Sequence, residues 1–345
     1  MKALILAGGK GEGLLPLTCN YPKLMVPIGN IPFVFYQLDA IKRAGIKEVI
    51  ICLTYQPRRL RELLGDGANY GVVVHYTNEP EPLGTAGAIK NAEPMIDETC
   101  LVLNGDILPA INLRKVLEKH FQKRSLATIV TSPVEDPEEY GIIRQNRQHM
   151  ITRFTEKPGD AVEQRGRVNV GLYVFNREIL DLIPAGRRFS IEQDLFPQLI
   201  SHRHRLYAYN TREYWLHLED PGRYLQANFD VMAGRIRIPR FYGLFQKETR
   251  EYAAGCRVDE KSFVDPSCLI KSGVIIENSV IGAHCRIEQD VHIKDTVILP
   301  GTRLKRNSLL RYSIAGKNCV IGQYARITRG TILGDKTVIA DHSKL

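Results

Sequence analysis

The sequence predicts an α/β fold in which a doubly wound, mostly parallel sheet is followed by a parallel left-handed β-helix of hexapeptide-like repeats. Over the first two thirds of the 345 residues, short β-branched runs alternate with segments of helical periodicity. In the last third, aliphatic residues recur every seventeen positions. An ordinary helical or sandwich domain has no reason to show that period. A chain of this length can fold as one large domain and a smaller one.

The first predicted domain spans residues 1–232 and contains near-continuous apolar runs typical of strands buried on both faces. These runs are ALILA at 3–7, EVIICL at 48–53, VVVHY at 72–76, CLVLNGD at 100–106, ATIVTS at 127–132 and VNVGLYVF at 168–175. Helical spacing is found in FVFYQLDAIKRAG, LRKVLEKHFQKR and SIEQDLFPQLIS. Ligands of such sheets bind at the carboxyl ends of the strands. We therefore expect the site at loops 8–18 and 81–88 and at Asn104-Gly105-Asp106.

A connector at 233–254 precedes the predicted β-helix at 255–345. Its aliphatic residues form three columns, with two six-residue steps and one five-residue step per coil. The columns are Val264, Ile281, Ile298, Ala315 and Ile332; Ile270, Ile287, Leu304, Ile321 and Val338; and Ile276, Ile293, Leu310 and Ile327. Cys268, Cys285, Thr302 and Cys319 follow the same period. Each lies two residues before a column residue, so we expect these small side chains to point inward.

The composition limits which binding partners and which cellular compartment we expect. Lys and Arg number 47 against 38 Asp and Glu, a net charge of +9, but no stretch forms a basic arm, so we expect no nucleic-acid partner. Neither a signal-peptide pattern nor a long apolar run is present, so we expect no membrane association. The seven cysteines include no CxxC pair, which predicts reduced thiols and a cytoplasmic protein.

The first strand leads into a glycine-rich loop, Gly8-Gly9-Lys10-Gly11-Glu12-Gly13. Glycines at these positions allow backbone N–H groups to approach a phosphate closely. A Walker A loop is excluded because no Lys-Ser/Thr pair follows the last glycine. The glycine spacing and the lack of an acidic residue at the end of the second strand exclude a dinucleotide site. A different phosphate-containing ligand is indicated.

Further motifs occur in a fixed order along the chain. They are LILAGGKGEGLLPLT at 4–18, Tyr21-Pro22-Lys23, PLGTAG at 82–87, Asn104-Gly105-Asp106, Glu139-Tyr140-Gly141, FTEKP at 154–158, Asn169-Val170-Gly171 and residues 215–224. This series resembles the sugar-nucleotide pyrophosphorylases, a family of NDP-hexose nucleotidyltransferases, and is most similar to the mannose-1-phosphate guanylyltransferases. The resemblance covers about residues 1–230 and the β-helix, and it implies a Rossmann-like nucleotidyltransferase fold.

The resemblance implies that a hexose 1-phosphate oxygen, of mannose 1-phosphate in this branch, attacks the α-phosphate of an NTP, here GTP. Pyrophosphate leaves and NDP-sugar forms without a covalent enzyme intermediate, so the protein contributes positioning and charge neutralisation. The implied cofactor is Mg²⁺ or Mn²⁺. The implied catalytic residues are Lys23 on the NTP phosphates, Lys157 on the sugar phosphate and Asp106 on the metal.

The resemblance also implies two sets of binding residues. For the nucleotide they are Leu6, Ala7, Gly8, Gly9, Gly11, Lys23, Leu83, Gly84, Thr85, Asn104 and Asp106. For the sugar phosphate they are Gly141, Glu156, Lys157, Asn169 and Gly171.

Two positions depart from the family pattern, and both concern the chemistry. Glu12-Gly13 stands where the family has Thr-Arg. The family's Trp-x-Asp-x-Gly-Thr-Pro appears here as Trp215-Leu216-His217-Leu218-Glu219-Asp220-Pro221, so His217 stands where the family has the second metal carboxylate, and Glu219 stands where it has glycine. Glu219 and Asp220 offer carboxylates only two and three residues out of register. A charge-neutralising arginine in phosphoryl transfer contributes roughly 10³ to 10⁵ in rate. A neutral imidazole is a poor ligand for Mg²⁺ but suits a softer divalent ion.

Three functions remain open from the sequence. The first is a divergent nucleotidyltransferase with an altered phosphate loop that uses Lys10 or another cation. The second is a catalytically impaired paralogue that binds sugar nucleotide and regulates an active partner. The third is a hexapeptide-repeat acyltransferase using His284 or His292, but both fall at outward or corner positions. We expect a homo-oligomer or a hetero-oligomer with an active paralogue.

Overall fold

The computed structural model describes residues 1–54, 57–79, 81–134, 140–155, 166–239, 252–328 and 330–345. The predicted site residues Glu156 and Lys157, and Glu139 of the predicted motif, lie outside the described residues, as does much of the predicted connector. The chain divides into two compact units, one of Met1–Lys10 with Gln37–His217 and one of Gly11–Tyr36 with Leu218–Leu345. The phosphate-loop segment after Lys10 is therefore grouped with the β-helix and not with the sheet. The sequence-based boundaries at 232 and 255 stay a prediction.

The strands that precede the β-helix include all six predicted runs. They are β1 (Lys2–Ala7), β2 (Pro27–Ile28), β3 (Ile31–Pro32), β4 (Glu48–Leu53), β5 (Val73–Asn78), β6 (Cys100–Asn104), β7 (Ile107–Pro109), β8 (Ala127–Val134), β9 (Ile142–Gln145), β10 (Ile151–Thr155), β11 (Gly166–Phe175), β12 (Leu206–Asn210) and β13 (Trp215–His217). The α-helices are α1 (Val34–Arg43), α2 (Pro57–Leu64), α3 (Gly84–Asn91), α4 (Leu113–Lys123), α5 (Phe196–Ser201) and α6 (Pro221–Met232).

The sheet of the first unit has the order β10-β9-β11-β6-β1-β4-β5, and β8 pairs with both β11 and β12. Strands β6, β1, β4 and β5 are parallel, so their carboxyl ends meet at one edge. Strand β11 runs antiparallel to β6 and to β8. The predicted doubly wound sheet is confirmed, with antiparallel strands added on one side.

Hydrophobic burial explains why these segments form strands and helices. Ala3, Leu4 and Ile5 of β1 are fully buried, as expected for a central strand covered on both faces. Helix α4 buries Leu113 and Val116 on one stripe and is capped at its N-terminus by Asn112, whose side chain accepts a hydrogen bond from the Lys115 amide. Within the described residues, no helix is long and apolar enough to cross a membrane.

The predicted β-helix is confirmed as three parallel five-stranded sheets. The sheets consist of β14 (Arg257–Val258), β17 (Ile275–Glu277), β20 (His292–Lys294), β23 (Leu309–Arg311) and β26 (Arg326–Ile327); of β15 (Phe263–Val264), β18 (Val280–Ile281), β21 (Val297–Ile298), β24 (Ile314–Ala315) and β27 (Ile332–Leu333); and of β16 (Leu269–Ile270), β19 (Arg286–Ile287), β22 (Arg303–Leu304), β25 (Val320–Ile321) and β28 (Val338–Ile339). The side chains of Cys268, Cys285, Thr302 and Cys319 are fully buried, as the period predicted.

The last coil departs from the seventeen-residue period. Leu333 and Ile339, one residue later than the predicted Ile332 and Val338, align with the inward columns. Ile327 keeps the earlier register, so the extra residue lies between Ile327 and Leu333. Because strand side chains alternate between faces, one added residue turns Val338 outward, and it is 71% exposed. The assignment of Ile332 and Val338 to the columns was therefore wrong.

Candidate active site

A cavity of about 310 Å³ opens at the carboxyl ends of β1, β4 and β6, where the sequence placed the ligand site. Its lining residues are Leu6, Gly8, Gly9, Thr54, Glu79, Pro82, Gly84, Thr85, Ala88, Asn104, Gly105 and Asp106. Most of the predicted nucleotide-binding residues of the first unit are among them. Ala7 and Leu83 adjoin lining residues in the chain.

Backbone packing explains several glycines of this cavity. Gly84 has a φ of +75°, and a Cβ there would lie 2.7 Å from the carbonyl oxygen of Phe189. The same oxygen accepts hydrogen bonds of 3.0 Å from the amides of Ala86 and Gly87. A side chain at Gly105 would overlap the backbone of Leu6. The first turn of α3 and the turn after β6 are thus held close to neighbouring backbone.

Glu79 is a lining residue that the sequence reasoning missed. It follows β5 and is 7% exposed, and its Oε2 accepts a 3.0 Å hydrogen bond from the Leu83 amide. Burial raises the pKa of the Glu79 carboxyl, and the hydrogen bond from the Leu83 amide and the nearby Thr54 hydroxyl oppose that rise. The sequence did contain a signal for Glu79, because a carboxylate lies just before Pro82-Leu83-Gly84, at the end of a predicted strand.

The three predicted sugar-side residues that the structure describes, Gly141, Asn169 and Gly171, come together around a bulge in β11. Its register with β8 shifts between Asn169 and Tyr173. The Asn169 amide donates to the Gly141 carbonyl at 3.0 Å, and the Gly171 amide donates to Asn169 Oδ1 at 3.0 Å. Gly171 has a φ of +83°, and a Cβ there would lie 2.9 Å from Asn104 Nδ2. Gly141, Asn169 and Gly171 are therefore neighbours, beside the end of β6.

Asp106 and His217, the predicted metal ligands, lie against each other. Strand β13 pairs antiparallel with β7, which places His217 opposite Ile107, next to Asp106. The distance from His217 Nε2 to Asp106 Oδ1 is 3.0 Å, and both side chains are partly exposed. The buried Gln37 side chain donates 2.9 Å hydrogen bonds to the carbonyls of Asn104 and Ile107, which fixes the turn that carries Asp106.

The distance between these two side chains suits two ligands of one divalent ion, but the chemical types of the two donor atoms suit Mg²⁺ less well. Adjacent ligands about 2.1 Å from one octahedral ion lie about 3.0 Å apart, which matches this pair. One donor is a nitrogen, which Mg²⁺ disfavours and Mn²⁺ or Co²⁺ tolerates. Within the described residues, no group of three or more His, Cys, Asp or Glu side chains is arranged to hold a metal. An ion here would need its remaining ligands from phosphates and water.

The predicted phosphate-loop residues Gly11 and Lys23 belong to the second unit, where they lie close together. Gly11 has a φ of +71°, and a Cβ there would lie 3.3 Å from the Cβ of Lys23. The Thr18 hydroxyl donates to the Gly11 carbonyl at 2.7 Å, which closes the loop. Lys23 begins a 3₁₀ turn that ends at Met25.

Gly13, which replaces the family arginine, packs against the backbone of Glu219. A Cβ at position 13 would overlap the carbonyl oxygen of Glu219. Glu219 itself stands where the family pattern has glycine, so two departures from that pattern face each other. Asp220 is the N-cap of α6, with Oδ1 accepting from the amides of Gly222 and Arg223 at 2.7 and 2.9 Å. Its carboxylate is therefore engaged in capping.

The two histidines considered for acyl transfer lie on the surface of the β-helix. His284 occupies a corner with a φ of +58°. The Nε2 of His292 lies 3.2 Å from Glu277 Oε2 on the adjacent coil. Both positions agree with the outward or corner placement expected from the sequence.

Comparison with known proteins gives the family. The model described as nucleotidyl transferase matches residues 2–233, and that of the EIF2B subunit epsilon left-handed β-helix (LbH) domain matches residues 242–345. A mannose-1-phosphate guanyltransferase of Pichia angusta is 35% identical, over 99% of this chain and 93% of its own. Mannose-1-phosphate guanylyltransferase 1 of Arabidopsis thaliana is 32% identical, with the same coverage. The Mycobacterium tuberculosis mannose-1-phosphate guanylyltransferase is 31% identical, over 89% of this chain and 82% of its own.

Solved structures agree with this assignment. The crystal structure of HddC from Yersinia pseudotuberculosis matches with a TM-score of 0.59 and 28% identity, covering 67% of this chain and 99% of that one. The same protein complexed with GMP-PN matches with a TM-score of 0.58 and 27% identity over the same shares. Both domains and their order thus have counterparts in known proteins, and the chain belongs to the sugar-nucleotide pyrophosphorylase family of nucleotidyltransferases.

Proposed function

We propose that this protein transfers a guanylyl group from GTP to a hexose 1-phosphate, with mannose 1-phosphate as the first candidate, at a rate reduced by its altered phosphate loop. The observation that carries the proposal is the cavity at the strand ends, which is lined by residues of three matched motifs. The names of the most similar relatives support the choice of base and sugar.

Glu79 supports guanine over the other bases. Its carboxylate lines the cavity and lies beside Thr54 and the Leu83 amide. Guanine presents two adjacent donors, N1–H and the N2 amino group, which match the two-acceptor geometry of a carboxylate. Uracil, thymine and cytosine do not offer that adjacent pair on one edge. Glu79 would therefore favour GTP and GDP-sugars.

The residues of this chain divide the work of positioning. Lys23 and the glycine-rich loop would hold the NTP phosphates, and Lys157 would hold the sugar phosphate. Gly141, Glu156, Asn169 and Gly171 would bind the hexose, which aligns its phosphate for in-line attack. Asp106 and His217 would hold a divalent ion, which neutralises phosphate charge when bound. The missing arginine leaves less positive charge for the departing pyrophosphate.

A second function, binding of sugar nucleotide by an impaired paralogue that regulates an active partner, is favoured by one contact. Gly13 lies so close to the Glu219 carbonyl that no side chain fits between them. The loop is thus packed in a form that does not accommodate the family arginine. Such a protein would keep its ligand-binding site but would catalyse nucleotidyl transfer more slowly.

Both functions predict self-association or association with a paralogue. Light scattering of the full chain is expected to give a dimer or larger particle, alone or mixed with an active mannose-1-phosphate guanylyltransferase. A monomer under both conditions would contradict the expectation.

A pyrophosphate-release assay over four NTPs and several hexose 1-phosphates, in Mg²⁺ and in Mn²⁺, separates the two functions. Turnover with GTP and mannose 1-phosphate above all other pairs would support slow transfer. Binding of GDP-mannose without any turnover would support the regulatory function. Asp106→Asn should remove any genuine turnover, and Asp97→Asn, an exposed carboxylate paired with Lys2, is the matched control. Neither turnover nor GDP-sugar binding would refute both.

A further inference from the structure

We propose that Glu192 is a positioning residue that links the nucleotide side of the site to its sugar side, so that each substrate strengthens the binding of the other. The inference rests on the proposed function, because it assigns a regulatory linkage to the same cavity. Glu192 lies in SIEQDLFPQLIS, which the sequence analysis treated only as a helical segment.

On the nucleotide side, Glu192 contacts Thr85, a predicted nucleotide-binding residue at the start of α3. The Thr85 hydroxyl donates to Glu192 Oε2 at 3.1 Å. The same hydroxyl oxygen accepts a 2.7 Å hydrogen bond from the Ile191 amide. Ser190 also donates to Glu192 Oε2, at 3.0 Å. Displacement of Thr85 by a bound nucleotide would therefore move or strain this carboxylate.

On the sugar side, Glu192 accepts a hydrogen bond with its other carboxylate oxygen, Oε1. The Tyr173 hydroxyl donates to Glu192 Oε1 at 2.9 Å. Asn169 Nδ2 donates to the Tyr173 hydroxyl at 2.7 Å, and Asn169 Oδ1 accepts from the Gly171 amide at 3.0 Å. The chain of hydrogen bonds thus runs from Thr85 through Glu192 and Tyr173 to two predicted sugar-binding residues.

The packing around Tyr173 and Glu192 makes this chain of hydrogen bonds rigid. Tyr173 is fully buried, and its ring stacks on Phe175 with centroids 5.5 Å apart and meets Phe196 edge-on at 5.6 Å. A ring so packed transmits a shift of its hydroxyl and does not absorb it by changing rotamer. Glu192 is in a single π-helical turn, Ile191–Leu195, a geometry frequent at functional sites.

The chemistry of the carboxylate suits this role. Hydrogen bonds to a charged acceptor are about twice as strong as neutral ones, and each oxygen serves a different side of the site. A change of geometry at one oxygen is felt at the other, because the group is planar and rigid. Glutamine keeps the shape but replaces one acceptor with an NH₂ group, so on one arm the hydroxyl donor loses its acceptor, and both arms lose the charged partner.

The linkage is measured as a ratio of affinities, which does not depend on turnover. Calorimetry gives the Kd of mannose 1-phosphate alone and with saturating α,β-methylene GTP, an analogue whose α,β bridge is not cleaved, both in Mn²⁺. We expect the analogue to strengthen sugar-phosphate binding at least about fivefold in the natural chain. In Glu192→Gln the ratio of the two Kd values for mannose 1-phosphate, without and with the analogue, should fall to about one. The Kd of each ligand measured alone should change by a smaller factor than this ratio does.

Two further variants keep the test decisive. Tyr173→Phe preserves the buried ring and the Thr85 contact but removes the sugar-side arm, so it should also abolish the linkage. Asp194→Asn is the matched control, because Asp194 Oδ2 supports the same turn by accepting from the Ser190 amide at 2.7 Å and contacts neither arm. Its ratio should equal that of the natural chain.

The outcomes separate this inference from the proposed function. If the natural chain binds both ligands without linkage, or if Glu192→Gln and Tyr173→Phe keep the linkage, the inference is wrong and the proposed function stands. If the natural chain binds neither ligand nor GDP-mannose, the proposed function fails and the inference fails with it. Equal loss of linkage in Asp194→Asn would show that the turn, and not the Glu192 carboxylate, is responsible.

Discussion

The cavity at the strand ends and the phosphate-loop segment differ in how they relate to the family pattern. In and beside the cavity, Gly84 and Gly171 have positive φ values and lie close to neighbouring atoms, as glycine allows. In the phosphate-loop segment, Gly13 and Glu219 both depart from the pattern and pack against each other. These two departures from the family pattern are therefore in contact with each other. The glycines of the cavity thus match the predicted motifs, whereas the departures at positions 13 and 219 lie in the second unit.

The largest expected effect comes from rebuilding the phosphate loop. Adding Glu12→Thr, Gly13→Arg and His217→Asp to the natural chain supplies positive charge where pyrophosphate departs and a second metal carboxylate. From the sequence alone, such a variant should gain at least about a hundredfold in rate, with only about 1 kcal/mol lost at a glycine turn. The structure corrects the second half of that expectation, because the obstacle is the Glu219 carbonyl and Gly13 does not have a positive φ.

We therefore expect Gly13→Arg alone to lower the free energy of unfolding by about 1–3 kcal/mol, the usual effect of overpacking. Adding Glu219→Gly frees the facing backbone to move and should recover part of that loss. The hundredfold gain in rate is expected only when all four changes are combined. Denaturant unfolding and pyrophosphate release measure the two effects. A fully stable single Gly13→Arg variant would contradict the close packing at Glu219.

A smaller effect is expected at the metal pair. Because His217 offers nitrogen beside Asp106 Oδ1, any activity should be about tenfold higher in Mn²⁺ or Co²⁺ than in Mg²⁺. His217→Asp should move the preference toward Mg²⁺. The ratio of rates in the two metals, measured at saturating substrates, is the readout. A Mg²⁺ optimum in the natural chain would count against His217 as a ligand.

The pH dependence of guanine binding should identify Glu79. Only the ionised carboxyl accepts both guanine donors, and burial raises the Glu79 pKa above its usual range. Binding of GDP-mannose should therefore weaken as the pH falls through that raised pKa, by about tenfold in total. Glu79→Gln should bind about as weakly at neutral pH and lose the pH dependence. A natural chain whose GDP-mannose affinity is flat from pH 4 to 8 would exclude this role.

The sequence predicted local and periodic features well, because they depend on nearby residues. The buried runs of the sheet and the seventeen-residue columns are of this kind, and they were found where the pattern placed them except at Ile332 and Val338 in the last coil. The slip at Leu333 was not predictable, because one extra residue in a corner leaves the aliphatic pattern almost unchanged. The roles assigned to Lys23, Asp106 and Lys157 stay predictions, and Lys157 lies outside the described residues.

The contacts that matter most to the chemistry join positions far apart in sequence. Gly13 and Glu219 are separated by about two hundred residues, and no spacing rule connects them. Glu192 reaches both Thr85 and Tyr173 only because a π-helical turn directs its side chain between α3 and β11. The sequence motifs identified Thr85 and Asn169, at the two ends of this hydrogen-bond network, but gave no sign of Glu192 between them.

The most direct test of the difference between the two regions compares the affinities of GDP-mannose and GTP by calorimetry in the same metal. Under the proposed function, GDP-mannose would use the predicted nucleoside and sugar contacts, whereas GTP would add a terminal phosphate that lacks the family arginine and that Glu12 would repel. We predict that GDP-mannose binds more tightly than GTP. Tighter binding of GTP than of every GDP-sugar tested would contradict the proposal that this protein keeps ligand binding while its leaving-group side is altered.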